Sequence, residues 1–157
     1  MVSKTKVGWI IFALLIIPIL VCGQGRPNGG MMKWNNDSLF VRMYNPALVQ
    51  TVKVVVEEVQ NFVPVKGMTV GVKLQTMAND ELLSVHIGPV FYLDSEGIEF
   101  KAGEELRIEG AFAMYEEEEI LIAKIIYRGE EEIVLRDDFG RPKWAGWMRG
   151  QRKGRAN

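Results

Sequence analysis

The sequence predicts an all-β fold: a single small OB-fold-like barrel of five to six strands, with a short helix between strands 3 and 4. Three observations predict it. From Met43 to about Leu135 the chain runs as β-branched or alternating segments separated by turn residues. Gly88-Pro89 interrupts that series and leads into a short helical stretch. A later run, Ile120–Tyr127, is apolar at nearly every position, as a strand covered on both faces must be.

Thr51 to Val59 is long and β-branched and reads as the first strand. In the second, Val70, Val72 and Leu74 share one face, with Gly71, Lys73 and Gln75 on the other. In the third, Leu83, Val85 and Ile87 face one way and Ser84 and His86 the other. Val90 to Asp94 is then a helical turn closed by Gly97, with Pro89 at its start, where a missing N–H is tolerated. Leu106, Ile108, Phe112 and Met114 keep one period around Gly110, which predicts a bulge or bend there. The acidic run Glu116–Glu119 is expected at a hairpin tip, and Ile133-Val134-Leu135 is a short last strand. Closing the sheet would spare so many apolar strands a long exposed edge.

Outside the barrel the chain changes character. Lys4 and Lys6 precede an apolar run from Val7 to Cys22, and residues 1–23 read as a secretory signal peptide cut before Gln24. Two rivals stay open: a lipoprotein cut before Cys22, and an uncleaved anchor. Cleavage after Gly23 would remove the sole cysteine, leaving no disulfide, thiolate nucleophile or cysteine-based metal site, and no membrane span. Residues 24–42 read as a flexible arm rich in Gly and Asn, 43–140 as the barrel, and 141–157 as a basic Trp-containing end. The location expected is periplasmic or secreted.

Charge is divided unevenly. Residues 24–140 hold 11 basic and 20 acidic side chains, a net of −9, while 141–157 holds six basic ones and no acid. A single-strand-binding barrel needs a positive groove with interleaved aromatics, so nucleic acid is disfavoured as a partner.

Three stretches carry a resemblance: Tyr44-Asn45-Pro46 leading into Thr51-Val52; Ser84 to Pro89 with Phe91-Tyr92-Leu93 and Lys101-Ala102-Gly103-Glu104; and Leu135-Arg136-Asp137-Asp138-Phe139-Gly140-Arg141-Pro142-Lys143-Trp144-Ala145-Gly146-Trp147. Through them residues 43–149 resemble small exported bacterial OB-fold proteins, some of them labelled DNA-binding on fold alone. The resemblance implies a fold and an exported location, and it supplies no catalytic residue.

The candidate binding residues are Trp144, Trp147, Arg136, Asp137, Arg141, His86 and Tyr92. Arg136 to Pro142 reads as a turn leaving the last strand. Trp144 and Trp147 could fold back to cap an open barrel end, or offer an aromatic platform to a base, a sugar or a peptide. His86, the sole histidine, is expected outside the barrel or against the helix, either held by a nearby carbonyl or ligating a metal with methionine. Met68 and Met114 are better explained as core filling, whereas Met31-Met32 near Trp34 could serve copper. No cofactor is expected. Without a nucleophile–base motif or phosphate loop, the function expected is a non-catalytic adaptor or binding module with a protein or small-ligand partner in the cell envelope. Carriage of copper or a small ligand is the second reading, and single-stranded nucleic-acid binding the third.

Overall fold

The computed structural model describes Trp34 and residues 42–146. The stretch read as a signal peptide, the rest of that read as an arm, Trp147 and the basic end from Arg149 onward lie outside the described residues, and so do Met31 and Met32.

A 3-10 turn at Pro46–Leu48 is capped by Asn45, whose Oδ1 accepts from Ala47 N at 3.0 Å. It leads into β1 (Val49–Phe62), followed by β2 (Gly71–Ala78) and β3 (Glu81–Pro89). The helix α1 (Val90–Glu96) comes next, then β4 (Glu105–Tyr115), β5 (Glu118–Arg128) and β6 (Glu131–Val134). β1 pairs with β2 through its second half and with β4 through its first. β2 pairs with β3 and β4 with β5, while β3 meets β5 in parallel, Ser84–His86 against Ile120–Ile122. These pairings close the ring 1-2-3-5-4-1, the strand order of an OB-fold barrel, and β6 extends it from β5.

β5 is the central strand, as its composition requires. Ile120, Leu121, Ile122 and Ala123 are all fully buried. Leu74, Val85, Ile87, Leu106 and Ile108 fill the barrel from the other strands. The helix ends at Gly97, whose φ of 67° is the left-handed cap that glycine adopts without a Cβ penalty.

Three strand assignments need correction. Val70 is 41% exposed and precedes β2, so it does not share a face with Val72 and Leu74. Met114 is 63% exposed and does not fill the core, whereas Met68 is buried. Met114 is the last residue but one of β4, and a register slip falls further back, opposite Gly110, where a bulge or bend is expected. Glu109 pairs with Ile125 and Gly110 with Ala123, so the extra residue is Lys124 of β5, while β4 stays in unbroken register with β1 from Glu105 to Ala111. A Cβ on Gly110 would stand 2.5 Å from the Ile122 carbonyl oxygen, a contact only glycine avoids. The last strand is Glu131–Val134, with Leu135 just past its end and fully buried.

Two tight hairpins need left-handed residues at both central positions, Asn79-Asp80 between β2 and β3 and Glu116-Glu117 between β4 and β5. Asn and Asp suit that backbone, and Glu does not. Replacing Glu116-Glu117 by Asn-Gly is therefore expected to stabilise the fold by about 1–2 kcal/mol, read from urea unfolding.

Candidate functional site

The structure brings three of the predicted binding residues together, Arg136, Trp144 and Tyr92, and they face inward. Beyond Leu135 the chain turns at Asp137, whose Oδ1 accepts from Phe139 N at 3.0 Å and Arg141 N at 2.8 Å. Arg136 pairs with Pro142 in an isolated bridge, and a 3-10 turn at Lys143–Gly146 follows. This fold-back lays Trp144 on Gly88, where an added Cβ would stand 2.8 Å from the indole. Trp144 is 3% exposed and touches Tyr92 at 5.5 Å and Trp34 at 6.1 Å between ring centroids, the second pair edge-to-face.

Trp34, from the stretch read as a flexible arm, joins this cluster. It is 1% exposed, seats its ring against Gly71, and donates from Nε1 to the Thr69 carbonyl at 2.9 Å. Gly71 and Gly88 lie near one another on β2 and β3, where Val72 pairs with Gly88. Each makes room for an indole. A glycine inside a strand signals close approach of another group, which is the one clue the sequence carried to these two seats.

Arg136 is 1% exposed, with its guanidinium 4.8 Å from the Tyr44 ring centre and 5.3 Å from that of Trp144. It donates from Nη1 to the Gly140 carbonyl at 3.2 Å. Burial lowers its pKa to about 10, against a smaller opposing pull from Tyr44. Burial likewise pushes the Tyr44 and Tyr92 phenols up. Sequence reasoning missed Tyr44 as a member of this cluster; it packs on Gly140, which has a φ of 79°. Asp138 pairs with Lys124 at 2.8 Å and takes no part, and Arg141 is exposed in the turn.

His86 takes the face of β3 opposite the barrel filling, but aromatic rings cover it there. It does point away from Val85 and Ile87, yet only 2% of it is exposed, because Phe62 and Tyr115 cover it at 4.5 and 5.3 Å between ring centres. Burial first, and Lys73 second, lower its pKa to about 4. The imidazole is therefore neutral at ordinary pH. Among the described residues, no group of three His, Cys, Asp or Glu side chains could hold a metal ion.

The open surface lies above this histidine. The β1–β2 connection and the β4–β5 hairpin flank a cleft of about 440 Å³ lined by Met43, Val63, Pro64, Val65, Met114 and Tyr115, with Lys66 and Glu116 at its polar edge. The Tyr115 hydroxyl donates to the Pro64 carbonyl and ties the two walls together. Val63 is 51% exposed and Met114 63%, large apolar groups left to water on a rigid frame.

The family model of the MamS/MamX magnetosome proteins matches residues 48–133, more than half of the chain. The chain belongs to the MamS/MamX magnetosome protein family. The family match spans β1 to the start of β6's apolar pair, and so includes both walls of the cleft and His86. It ends before Arg136 and Trp144 and begins after Tyr44, so the Leu135–Trp147 motif falls outside it. A crystal structure of the S. pombe Stn1-ten1 complex overlaps 77% of this MamS/MamX-family chain and 90% of its own at 14% identity, with a TM-score of 0.39. An overlap that loose carries no argument, and the fold rests on strand order. A search of curated proteins finds no match.

Proposed function

We propose that this chain is an exported, non-catalytic binding module of a magnetosome-forming cell envelope, which receives an apolar segment of a partner protein in the cleft between residues 63–66 and 114–116. The exposure of Val63 and Met114 on a closed barrel is the observation that carries this reading. Isolated surface apolar groups are ordinary, but here they line one concavity whose walls are joined by Tyr115 and Pro64. Family membership supports the magnetosome setting, and the apolar run Val7–Cys22 supports export.

The candidate site offers no acid/base or nucleophilic pair. His86 is enclosed by rings, Asp137 is spent on its own turn and Asp138 on Lys124. Among the described residues, no helix is long and apolar enough to cross a membrane. A small apolar ligand is the second reading, favoured by the cleft's size, which falls within the roughly 300–1,000 Å³ of ligand pockets.

The test is a pair of variants, Val63→Lys and Met114→Lys, used in pull-downs from envelope extracts of a magnetosome-forming cell. Each is expected to leave the melting temperature near that of the parent, because surface substitutions stay within about 0.5 kcal/mol. Each should lower capture of the parent's partner at least tenfold. Undiminished capture by both variants overturns the reading.

A further inference from the structure

Beyond the last strand the chain makes one more small hairpin before the 3-10 turn at Lys143–Gly146. Arg136 bridges to Pro142, Lys143 N donates to the Leu135 carbonyl at 2.9 Å, and Asp137 N donates to that of Arg141 at 3.0 Å. Gly140 N closes the tip on the Asp137 carbonyl at 2.9 Å. Burial alternates along the returning limb. Gly140, Pro142 and Trp144 are buried, while Phe139, Arg141 and Lys143 are exposed. Gly140 packs on Tyr44 and Trp144 on Gly88, so the outward three form a fixed row. Phe139, at the tip, is 89% exposed, the most of any large apolar side chain among the described residues.

A single bare apolar residue is ordinary, but this one is backed by two cations at two-residue spacing. Neither Arg141 nor Lys143 makes a salt bridge among the described residues. The carboxylates of the turn are engaged, Asp137 Oδ1 by two N–H groups and Asp138 by Lys124 at 2.8 Å. Arg149, Arg152, Lys153 and Arg155 follow in the sequence, with no acid from 141 to 157, whereas residues 24–140 are strongly acidic. Charge is thus polarised along the chain, and its basic share begins directly behind the exposed ring.

We propose that the Phe139 hairpin is a membrane-surface anchor, which puts its ring into the interface of an anionic bilayer and sets Arg141 and Lys143 on the headgroup phosphates. Along an extended limb the two cations stand roughly 7 and 13 Å behind the tip, and interfacial groups enter a bilayer by about 5–10 Å. The ring therefore reaches the acyl boundary while the cations stay among headgroups. Shape and charge select this occupant. A convex cationic tip needs an apolar seat with an acidic rim if its partner is a protein. The cleft has Lys66 and Glu116 at its edge, and an outer groove of about 510 Å³ sets Asp80 and Glu105 against Lys53 and Arg107. Both are balanced in charge, so neither draws the tip of a second copy. A nucleic-acid strand is gripped in a groove by successive aromatics, and here one ring stands alone. A bilayer needs no preformed seat. The anchor is independent of what the cleft binds.

The experiment is sedimentation of residues 24–157 with vesicles of phosphatidylcholine, alone or mixed equally with phosphatidylglycerol. That chain holds every described residue and omits the apolar run Val7–Cys22, which would enter lipid by itself. Saturable binding is expected, at least tenfold tighter on the mixed vesicles and weakened by salt. Phe139→Ser should weaken it at least fivefold and Phe139→Trp should keep it, both with the melting temperature of the parent. Arg141→Gln with Lys143→Gln should weaken it tenfold or more, at roughly fivefold for each cation near a charged surface. Leu82→Ser removes another bare apolar group, at the far end of β3 from the Trp144 seat, and should change nothing. Equal binding to both vesicles, no binding, indifference to either set of tip variants, or equal loss with Leu82→Ser overturns the proposal. So does a thymidine oligomer that binds more tightly than the mixed vesicles with the same need for Phe139, which would make the ligand a nucleic acid. Self-association without lipid that Phe139→Ser abolishes would make it a second copy, with the same consequence.

Discussion

Trp144→Ala is expected to lower the unfolding free energy by about 3–5 kcal/mol, the range for deleting a buried large aromatic side chain. The indole fills the space between Gly88, Tyr92, Trp34 and Arg136, and its removal would leave a cavity that the strand backbone at Gly88 cannot close. Arg136 would also lose one of its two aromatic walls while staying buried. Urea unfolding measures the change directly. An indole serving as a surface platform would give a loss below about 0.5 kcal/mol, and that result would refute the inward placement. A second variant makes the test specific. Gly88→Ala sets a methyl 2.8 Å from the indole and should destabilise on its own. Combined with Trp144→Ala, the methyl enters vacated space, so the double variant should be less damaged than the two single losses added. That coupling is the signature of a seat shared by glycine and tryptophan.

The same pair shows how far sequence reasoning reaches. Alternation in β3 identified which face each residue takes, and Gly97 and Gly110 declared their cap and bulge because their backbone needs are local. Alternation says nothing about what later covers the second face. His86 shares its face with Ser84, a polar pair that reads as solvent-facing, yet Phe62 from β1 and Tyr115 from β4 close over it. Trp34 was hidden for a related reason: the Gly- and Asn-rich stretch around it resembles a solvated arm, and only Gly71 hints at a seat. Met114 keeps the period of β4 but stands next to the end of the strand and is exposed there, which alternation alone does not tell. The cleft was less legible still. Val63, Pro64 and Val65 look like a plain strand end followed by a turn, and concavity arises only when the β4–β5 hairpin is folded beside them.

Acid should destabilise this protein through His86 in particular. The imidazole is held at about 4 in the fold, by burial first and by Lys73 second, against an ordinary value of 6.5. Lys73 is its cross-strand partner on β2, so the repulsion is built into the register. The unfolded chain therefore takes up this proton near pH 6.5, and the folded chain only near pH 4. Between those values the unfolded state binds more protons, and stability falls as pH falls. The contribution is fully present above pH 6.5 and is gone below pH 4. At 1.36 kcal/mol per pKa unit the loss across that window is about 3 kcal/mol. Urea unfolding of the parent and of His86→Leu at stepped pH isolates it, because carboxylates titrate alike in both and cancel in the difference. The difference should be flat above pH 6.5 and shift by about 3 kcal/mol in favour of the variant by pH 4. A difference that stays constant through that range would mean the histidine is not enclosed. The loss would not be spread evenly through the barrel. Tyr115 covers His86 with its ring and ties the hairpin to Pro64 with its hydroxyl, so a proton forced onto the imidazole acts on the group that joins the walls of the cleft. Partner binding there should consequently weaken as pH approaches 4, where the folded imidazole takes up its proton, and His86→Leu should retain it.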